Sequence, residues 1–233
     1  MAYNFLILSL FFLLPGTLIF MIRSDLRGAI VVMALCSIPF AFTESLFYPS
    51  YWEPKFLFDL ADRIGFGLED FLFVIGLGAF TSTAYAFFLG AHYEALGDVQ
   101  PGTIVKRYVA VMSTAFALIL IVRFLDIEMI YGSFGIMLGV GGFIGLRRKD
   151  LIVPGLLGGL LSMFVYSLLS LGFAWIIPGV YNLAWHTEKF LNVFILGIPL
   201  EELIYGFASG VAATVFYPYA FYQRFNRKRE LKI

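Results

Sequence analysis

Long apolar runs separated by short charged loops limit most strongly what this sequence can form. A helix needs about 20 mostly apolar residues to cross a membrane, and seven stretches reach that length. Hydrophobic residues make up 61% of the chain and charged residues only 14%, whereas soluble domains are roughly half apolar and a quarter charged. This composition excludes a soluble single domain and a disordered chain. The predicted helices are Tyr3–Ile22, Gly28–Tyr48, Gly67–Ala91, Tyr108–Leu125, Ile127–Leu146, Leu151–Pro178 and Val193–Tyr222.

The basic residues are distributed unequally between the two sides of the predicted bundle. With seven helices, the loops after the first, third and fifth helices share one side with the C-terminal tail. That side carries twelve Lys and Arg, and the other side carries four. Because Lys and Arg favour the cytoplasmic side, we expect a multi-pass plasma-membrane protein with its N-terminus outside and its basic tail, residues 224–233, in the cytoplasm. The net charge is zero, so nothing indicates a nucleic-acid partner.

Two segments of the chain resemble each other at an offset of 132 residues. Gly67-Leu68-Glu69-Asp70 matches Pro199-Leu200-Glu201-Glu202, and each block follows a tryptophan, Trp52 or Trp185. The pattern predicts an all-α membrane protein with two parallel three-helix repeats related by a pseudo-twofold axis along the membrane normal. In this 3+1+3 arrangement, a single polytopic domain contains repeat one (1–95), a linker helix (104–125) and repeat two (127–223).

Parallel repeats place both acidic pairs at the same depth, near the outer boundary of the membrane. Acidic residues at that depth are costly and indicate a functional site. Neighbouring residues on a helix point about 100° apart, so only one acid of each pair can face a shared cavity, and the repeat favours Glu69 and Glu201. The alternative is that the acids cap helix N-termini or pair with basic residues. The predicted catalytic residues are Glu201, Glu69, Glu202, Asp70 and Glu44.

Two carboxyl groups in one dry cavity form an acid/base pair, because burial and like charge separate their pKa values. Such a pair suits a reaction in which one proton enters an alkene and another leaves. Aromatic faces stabilise the intervening carbocation by up to about 2 kcal/mol, although membrane helices are rich in aromatic residues for other reasons. The predicted substrate-binding residues are Trp52, Trp185, Phe73, Tyr205 and Pro199.

The block Pro199-Leu200-Glu201-Glu202-Leu203-Ile204-Tyr205 resembles the membrane lycopene cyclase domain family of the heterodimeric and fused type. Gly67–Phe73 is similar, with Gly in place of Pro and Asp in place of the second Glu, and Tyr51–Pro54 resembles the preceding loop. The resemblance implies repeated three-helix units and an isomerase of the intramolecular lyase type in carotenoid biosynthesis, which closes lycopene ends into rings. On this hypothesis a protonated Glu201 or Glu69 donates a proton and the opposite carboxylate removes one.

The same resemblance implies a hydrophobic polyene or lipid substrate, surrounding membrane lipids, and a homodimer or other carotenoid-pathway enzymes as partners. No Gly-x-Gly-x-x-Gly follows a strand, so no flavin cofactor is expected. Cys36 is the single cysteine and no Cys/His cluster occurs, so no metal site is expected.

Two other classes of function stay open. A non-enzymatic lipid or small-solute binder or transporter can have the same 3+1+3 layout. A polar path through the bundle would favour it, and a closed, dry tunnel would favour a cyclase. An intramembrane glutamate protease also has paired Glu, but it needs an Arg where this chain has Gly206 and two histidine motifs where it has only His92 and His186.

Overall fold

The computed structural model describes residues 3–227 and consists almost entirely of helices. Within these residues, seven helical spans are long and apolar enough to cross a membrane, as the sequence predicted. The predicted tail residues from 228 onward lie outside the described residues. The helices are α1 Asn4–Ile22, α2 Arg27–Ser37, α3 Leu60–Ile64, α4 Leu68–Phe88, α5 Pro101–Phe124, α6 Met129–Arg147, α7 Ile152–Ile176, α8 Val180–Ala184 and α9 Leu200–Ala220. The strands are β1 Ala91–Ala95, β2 Phe194–Ile195, β3 Ile198–Pro199 and β4 Gln223–Arg227.

Short 3-10 segments precede or extend several helices. Ser24–Leu26 leads into α2 and Lys149–Leu151 leads into α7. The longest one, Ile38–Leu46, continues α2 so that the second span runs from Ser24 to Leu46. The five-residue helices α3 and α8 lie in loops between spans.

Two predicted helix starts were wrong. The last span begins at Leu200 rather than Val193, because Val193–Pro199 turns back on itself as a hairpin of β2 and β3. Leu196 and Gly197 have positive φ angles of 53° and 82° at the tip, which a helix does not accommodate. The fourth span begins at Pro101 rather than Tyr108, because proline fits the first turn of a helix.

The helices α4 and α9 lie at the centre of the bundle. α4 packs against α1 and α2, whereas α9 packs against α6 and α7, and the two central helices contact each other. The close approach of α7 and α9 requires glycine at position 158. A Cβ on Gly158 would lie only 2.1 Å from the hydroxyl of Thr214 on α9. α5 lies at the periphery and packs mainly on α6.

The loops after α4 and α9 meet at one end of the bundle, which we call the inner end. β1 pairs antiparallel with β4, and Tyr93 lies opposite Phe225. Two arginines hold this ribbon. Arg23 donates to Asp25 and to the carbonyl oxygen of Ala91 at 2.7 Å. Arg148 donates to Asp150 and to the carbonyl oxygen of Gln223 at 2.8 Å. The loops that the charge bias assigned to one side therefore do lie together.

The two tryptophans meet at the opposite end, which we call the outer end. The backbones of Trp52 and Trp185 form an antiparallel bridge, flanked by hydrogen bonds of 2.7 and 3.0 Å. Their ring centroids are 4.9 Å apart. This contact ties the loop before α4 to the loop before α9, above the acidic starts of both helices.

Candidate active site

A small cavity of about 60 Å³ lies at the outer end, where α2, α4, α7 and α9 meet the tryptophan loops. Three acidic side chains reach it, each from a different part of the chain, and most of the other lining residues are aromatic or apolar. We call it the carboxyl cavity. It is lined by Glu44, Asp70 and Glu202 together with Leu8, Phe40, Ala41, Thr43, Phe47, Tyr51, Trp52, Phe73, Val74, Ile130, Tyr166, Trp185 and Tyr205.

Glu202 is buried in the first turn of α9 and is surrounded by hydrogen-bond donors. The Tyr51 hydroxyl and the Trp185 indole N–H each donate to Oε1 at 2.8 Å. The Tyr166 hydroxyl donates to Oε2. Three donors replace much of the hydration that a carboxylate loses on burial.

Tyr51 is a neutral donor to this carboxylate over the physiological pH range. Burial, and then the negative charge of Glu202, raise the pKa of Tyr51 well above its ordinary value. The phenol therefore keeps its proton and directs it at Glu202.

Glu44 and Asp70 form the second acidic group of the cavity. The Trp52 indole N–H donates to Oε1 of Glu44 at 2.6 Å, and the carboxyl groups of Glu44 and Asp70 lie next to each other in the cavity. Asp70 Oδ2 also accepts the backbone N–H of Gly67 at 2.6 Å, which caps α4. Two neighbouring buried carboxylates repel each other, so this pair can hold a proton on one of its members.

Glu69 and Glu201 are buried but do not line the carboxyl cavity. Glu69 Oε1 accepts the N–H of Leu57 at 2.6 Å. Glu201 Oε1 accepts the N–H of Leu191 at 3.0 Å and the hydroxyl of Tyr131 at 3.3 Å. Each residue thus fastens a preceding loop to its helix, and the second acid of each pair faces the cavity, not the first as the repeat favoured.

Most of the predicted aromatic residues do reach the site. Trp52, Trp185, Phe73 and Tyr205 all line the carboxyl cavity. Pro199 does not; it is buried at the N-cap of α9, in the hairpin.

Sequence reasoning missed two donors to Glu202. Tyr166 lies in the middle of the apolar run of α7, where nothing in the sequence distinguishes it from a lipid-facing tyrosine. Tyr51 lies next to Trp52 in the tryptophan loop, and this position is the one available signal in the sequence. Both contacts depend on how distant elements pack.

A larger cavity of about 200 Å³ adjoins the carboxyl cavity and extends toward the inner end. We call it the apolar cavity. It lies between α2, α4, α5, α6 and α9, and no Asp, Glu, Lys or Arg is among its lining residues. The hydroxyls of Ser37, Ser133 and Ser209 donate to backbone carbonyls of their own helices. Residues common to both cavities are Phe40, Thr43, Phe47, Val74 and Tyr205.

The arrangement can therefore do acid/base chemistry on an apolar molecule. A pair of neighbouring carboxyl groups and a hydrogen-bonded carboxylate lie in one buried space, with aromatic faces between them and an apolar chamber beyond. Within residues 3–227, no group of three or more His, Cys, Asp and Glu side chains is arranged to hold a metal ion.

Comparison with known proteins places part of the chain in a family. Residues 128–220 match the family model described as lycopene cyclase. This segment comprises α6, α7, α8 and α9, and it contains Tyr166, Trp185 and Glu202. Comparisons with curated proteins and with solved structures gave no match. The match supports a lycopene cyclase family domain at residues 128–220.

Proposed function

We propose that this chain, with its lycopene cyclase family domain at residues 128–220, is a carotenoid cyclase. It closes the open end of a linear polyene such as lycopene into a ring, without net oxidation or reduction. The proposal rests on one observation: the acids of the carboxyl cavity have different neighbours. Glu44 and Asp70 lie next to each other, whereas Glu202 has three neutral donors.

In this proposal the Glu44–Asp70 pair is the general acid. Its proton adds to the terminal double bond of the polyene and leaves a tertiary carbocation. The pair then carries an additional negative charge close to the cation. That charge and the faces of Trp52 and Trp185 stabilise the intermediate, since aromatic rings attract desolvated cations.

Ring closure follows within the same carbon skeleton. The electron pair of the nearby double bond forms the new carbon–carbon bond and moves the positive charge to an adjacent ring carbon. Glu202 then accepts a proton from a carbon next to the cation, and the ring double bond forms. A carbocation releases its neighbouring protons readily, so a carboxylate held by three hydrogen bonds suffices as the base.

The reaction takes up one proton from the cavity and returns one proton to it. One proton leaves the Glu44–Asp70 pair, one proton arrives at Glu202, and the product is an isomer of the substrate. The proton must return from Glu202 to the pair before the next turnover. The reaction therefore needs no oxidant and no reductant, and we propose that neither flavin nor metal takes part. Flavin absorbance that accompanies activity through purification would contradict this.

We also propose the 3+1+3 repeat as the architecture of the enzyme, with α5 as the linker. Three symmetric features support it. α4 packs on α1 and α2 as α9 packs on α6 and α7. Arg23 binds Ala91 as Arg148 binds Gln223, and these two acceptors are 132 residues apart. Trp52 pairs with Trp185 at one end and β1 pairs with β4 at the other, so a twofold axis would pass through both contacts.

The proposed location is the plasma membrane, with the carboxyl cavity in the outer half and the inner end facing the cytoplasm. The basis is the excess of Lys and Arg in the loops of the inner end. Protease accessibility of a C-terminal tag in right-side-out and inverted vesicles tests the orientation. A tag that is cleaved only from outside would contradict it.

The apolar cavity favours the cyclase over a solute transporter. A transporter for a polar solute needs polar groups along its path, and no charged side chain lines this cavity. An apolar chamber that adjoins a cavity with three carboxyl groups suits an apolar molecule whose end reacts.

Expression in cells that accumulate lycopene, followed by chromatography of the pigments, tests the proposed function. We expect conversion of lycopene to monocyclic or bicyclic carotene. The Glu202→Gln variant, expressed to the same level and shown to be folded, is the matched control. Unchanged lycopene in cells with folded parent protein would contradict the proposal.

A further inference from the structure

We propose that the reactive end of the polyene enters sideways from the lipid, through the seam between the outer half of the second span, Ile38–Leu46, and the linker helix α5. This inference rests on the proposed function and specifies the route to its site. Phe40 on the second span and Phe116 on α5 form the contact that closes the seam, and the remainder of the polyene extends through it into the lipid during the reaction.

The length of the apolar cavity requires such an opening. Along α9 the cavity runs from Tyr205 to Phe216, which corresponds to about 16 Å at 1.5 Å per residue. An extended forty-carbon polyene is considerably longer. With one end at the carboxyl cavity, the rest of the molecule cannot remain enclosed and must leave between two helices.

The contacts of α5 identify the helices. α5 packs mainly on α6, where Val122 covers Gly132 and closes that side. The second span and α5 approach each other through two side-chain contacts. The Phe40 and Phe116 rings stack with centroids 6.4 Å apart, and the Tyr108 hydroxyl donates to the carbonyl of Cys36 at 3.4 Å.

The wall on either side of this seam is made of side chains that adapt easily. Met33 on α2 and Met112 on α5 line the apolar cavity, with Met129 and Met137 on the facing helix α6. Methionine is unbranched and fills irregular spaces. These residues can admit a chain of variable shape without disturbance of the helix backbones.

The two halves of the second span differ in how they are held. The inner half is fixed against α4, because a Cβ on Gly78 would lie 1.9 Å from Ser37 Oγ and 3.0 Å from the carbonyl oxygen of Met33. The outer half, Ile38–Leu46, is a nine-residue 3-10 helix. Runs of this length are uncommon, and within a longer helix they often mark a hinge. That half carries both Phe40 and Glu44, so its movement would open the seam next to the proposed proton donor.

Cys36 provides a direct test, because it lines the apolar cavity and is the only cysteine of the chain. The full-length Glu202→Gln variant is placed in lipid vesicles with and without lycopene, and the rate of Cys36 modification by N-ethylmaleimide is measured. With lycopene at about ten times its Kd, the unoccupied fraction and the labelling rate should fall about tenfold. Unchanged labelling while lycopene co-purifies with the protein would overturn the inference.

This test separates the route from the reaction. Parent protein that cyclises lycopene without protection of Cys36 would leave the proposed function standing and overturn the route. Protection of Cys36 without any cyclic product from the parent would support the binding route while contradicting the cyclase activity.

Variants of the seam test the gate itself. Phe116→Ala removes the stacking contact and should accelerate the onset of Cys36 protection after lycopene is added, whereas Phe116→Trp should slow it. Phe124→Ala is the matched control, since Phe124 lies on the same helix, is 89% exposed and lines neither cavity. Identical onset rates in all three variants would overturn the role of the seam.

Discussion

The second acid of each pair contacts a side chain from the preceding span, and the two contacts involve different residue types. Asp70 on α4 contacts Glu44 at the end of the second span, whereas Glu202 on α9 accepts the hydroxyl of Tyr166 from α7. The helix α2 precedes α4 as α7 precedes α9. The partner is thus a carboxyl group in one half of the cavity and a phenol in the other, and in the proposed mechanism the first half donates the proton and the second accepts it.

Replacement of Glu202 by Gln should reduce cyclisation by about 100-fold or more, the range in which a general acid or base contributes. The amide keeps the shape and some of the hydrogen bonds but cannot accept the proton of the carbocation. Pigment chromatography from lycopene-accumulating cells measures the effect. Glu188→Gln, at a 66% exposed side chain in an outer loop, is the control. Equal yields of cyclic carotene from both variants would show that Glu202 takes no part in the reaction.

Replacement of Glu69 by Gln should leave most of the cyclisation intact. Glu69 Oε1 holds the N–H of Leu57, and the amide oxygen of Gln can keep that contact. Among the described residues its Oε2 has no hydrogen-bond partner, so the substitution breaks no contact at that atom. The same pigment assay, with the protein level determined in parallel, measures the result. Loss of cyclisation in folded protein would indicate that Glu69, the first acid of its pair, is catalytic.

At the scale of elements, hydropathy predicted the seven spans because an apolar run of sufficient length has few alternatives to a membrane helix. The same criterion misplaced the start of α9. Val193–Pro199 is as apolar as the helix that follows, and the turn at Leu196 and Gly197 depends on backbone angles that hydropathy does not report.

The candidate site was only partly predictable for a similar reason. The repeat placed Glu69 beside Asp70 and Glu201 beside Glu202 at matched positions, and it located Trp52 near both. Which acid of a pair faces the cavity depends on the rotation of α4 and α9 about their axes. That rotation is set by tertiary contacts such as Thr214 to Thr81, which no local pattern reveals.

The inner end offers a prediction about stability. Arg148→Ala removes the hydrogen bonds to Asp150 and to the carbonyl of Gln223, which tie the start of α7 to β4. We expect the free energy of unfolding to fall by about 1–2 kcal/mol, because bonds from charged groups to a partly exposed ribbon contribute in this range. Thermal unfolding in detergent measures it. Arg147→Ala, at an exposed residue stacked over Phe143, should change the melting temperature much less.

At the scale of the whole molecule, the apolar cavity lies on one side of the proposed twofold axis. It is bounded by α2, α4, α6 and α9, with α5 as its cover. The equivalent space on the other side, between α7, α9, α1 and α4, is filled by close packing. α7 contacts both α1 and α4, and the rings of Phe12 and Tyr166 lie 4.7 Å apart there. On the proposed repeat, two similar halves therefore build one chamber.

One chamber per chain has a consequence for a substrate with two open ends. After the first ring forms, the molecule must leave through the seam, reverse its direction and return before its second end can reach Glu202. Monocyclic product should therefore appear first and dominate while lycopene is in excess, with bicyclic product rising after a lag. A time course of pigments from purified protein in vesicles measures both. Bicyclic product that rises without a lag, in constant proportion to monocyclic product, would indicate that both ends react in a single encounter.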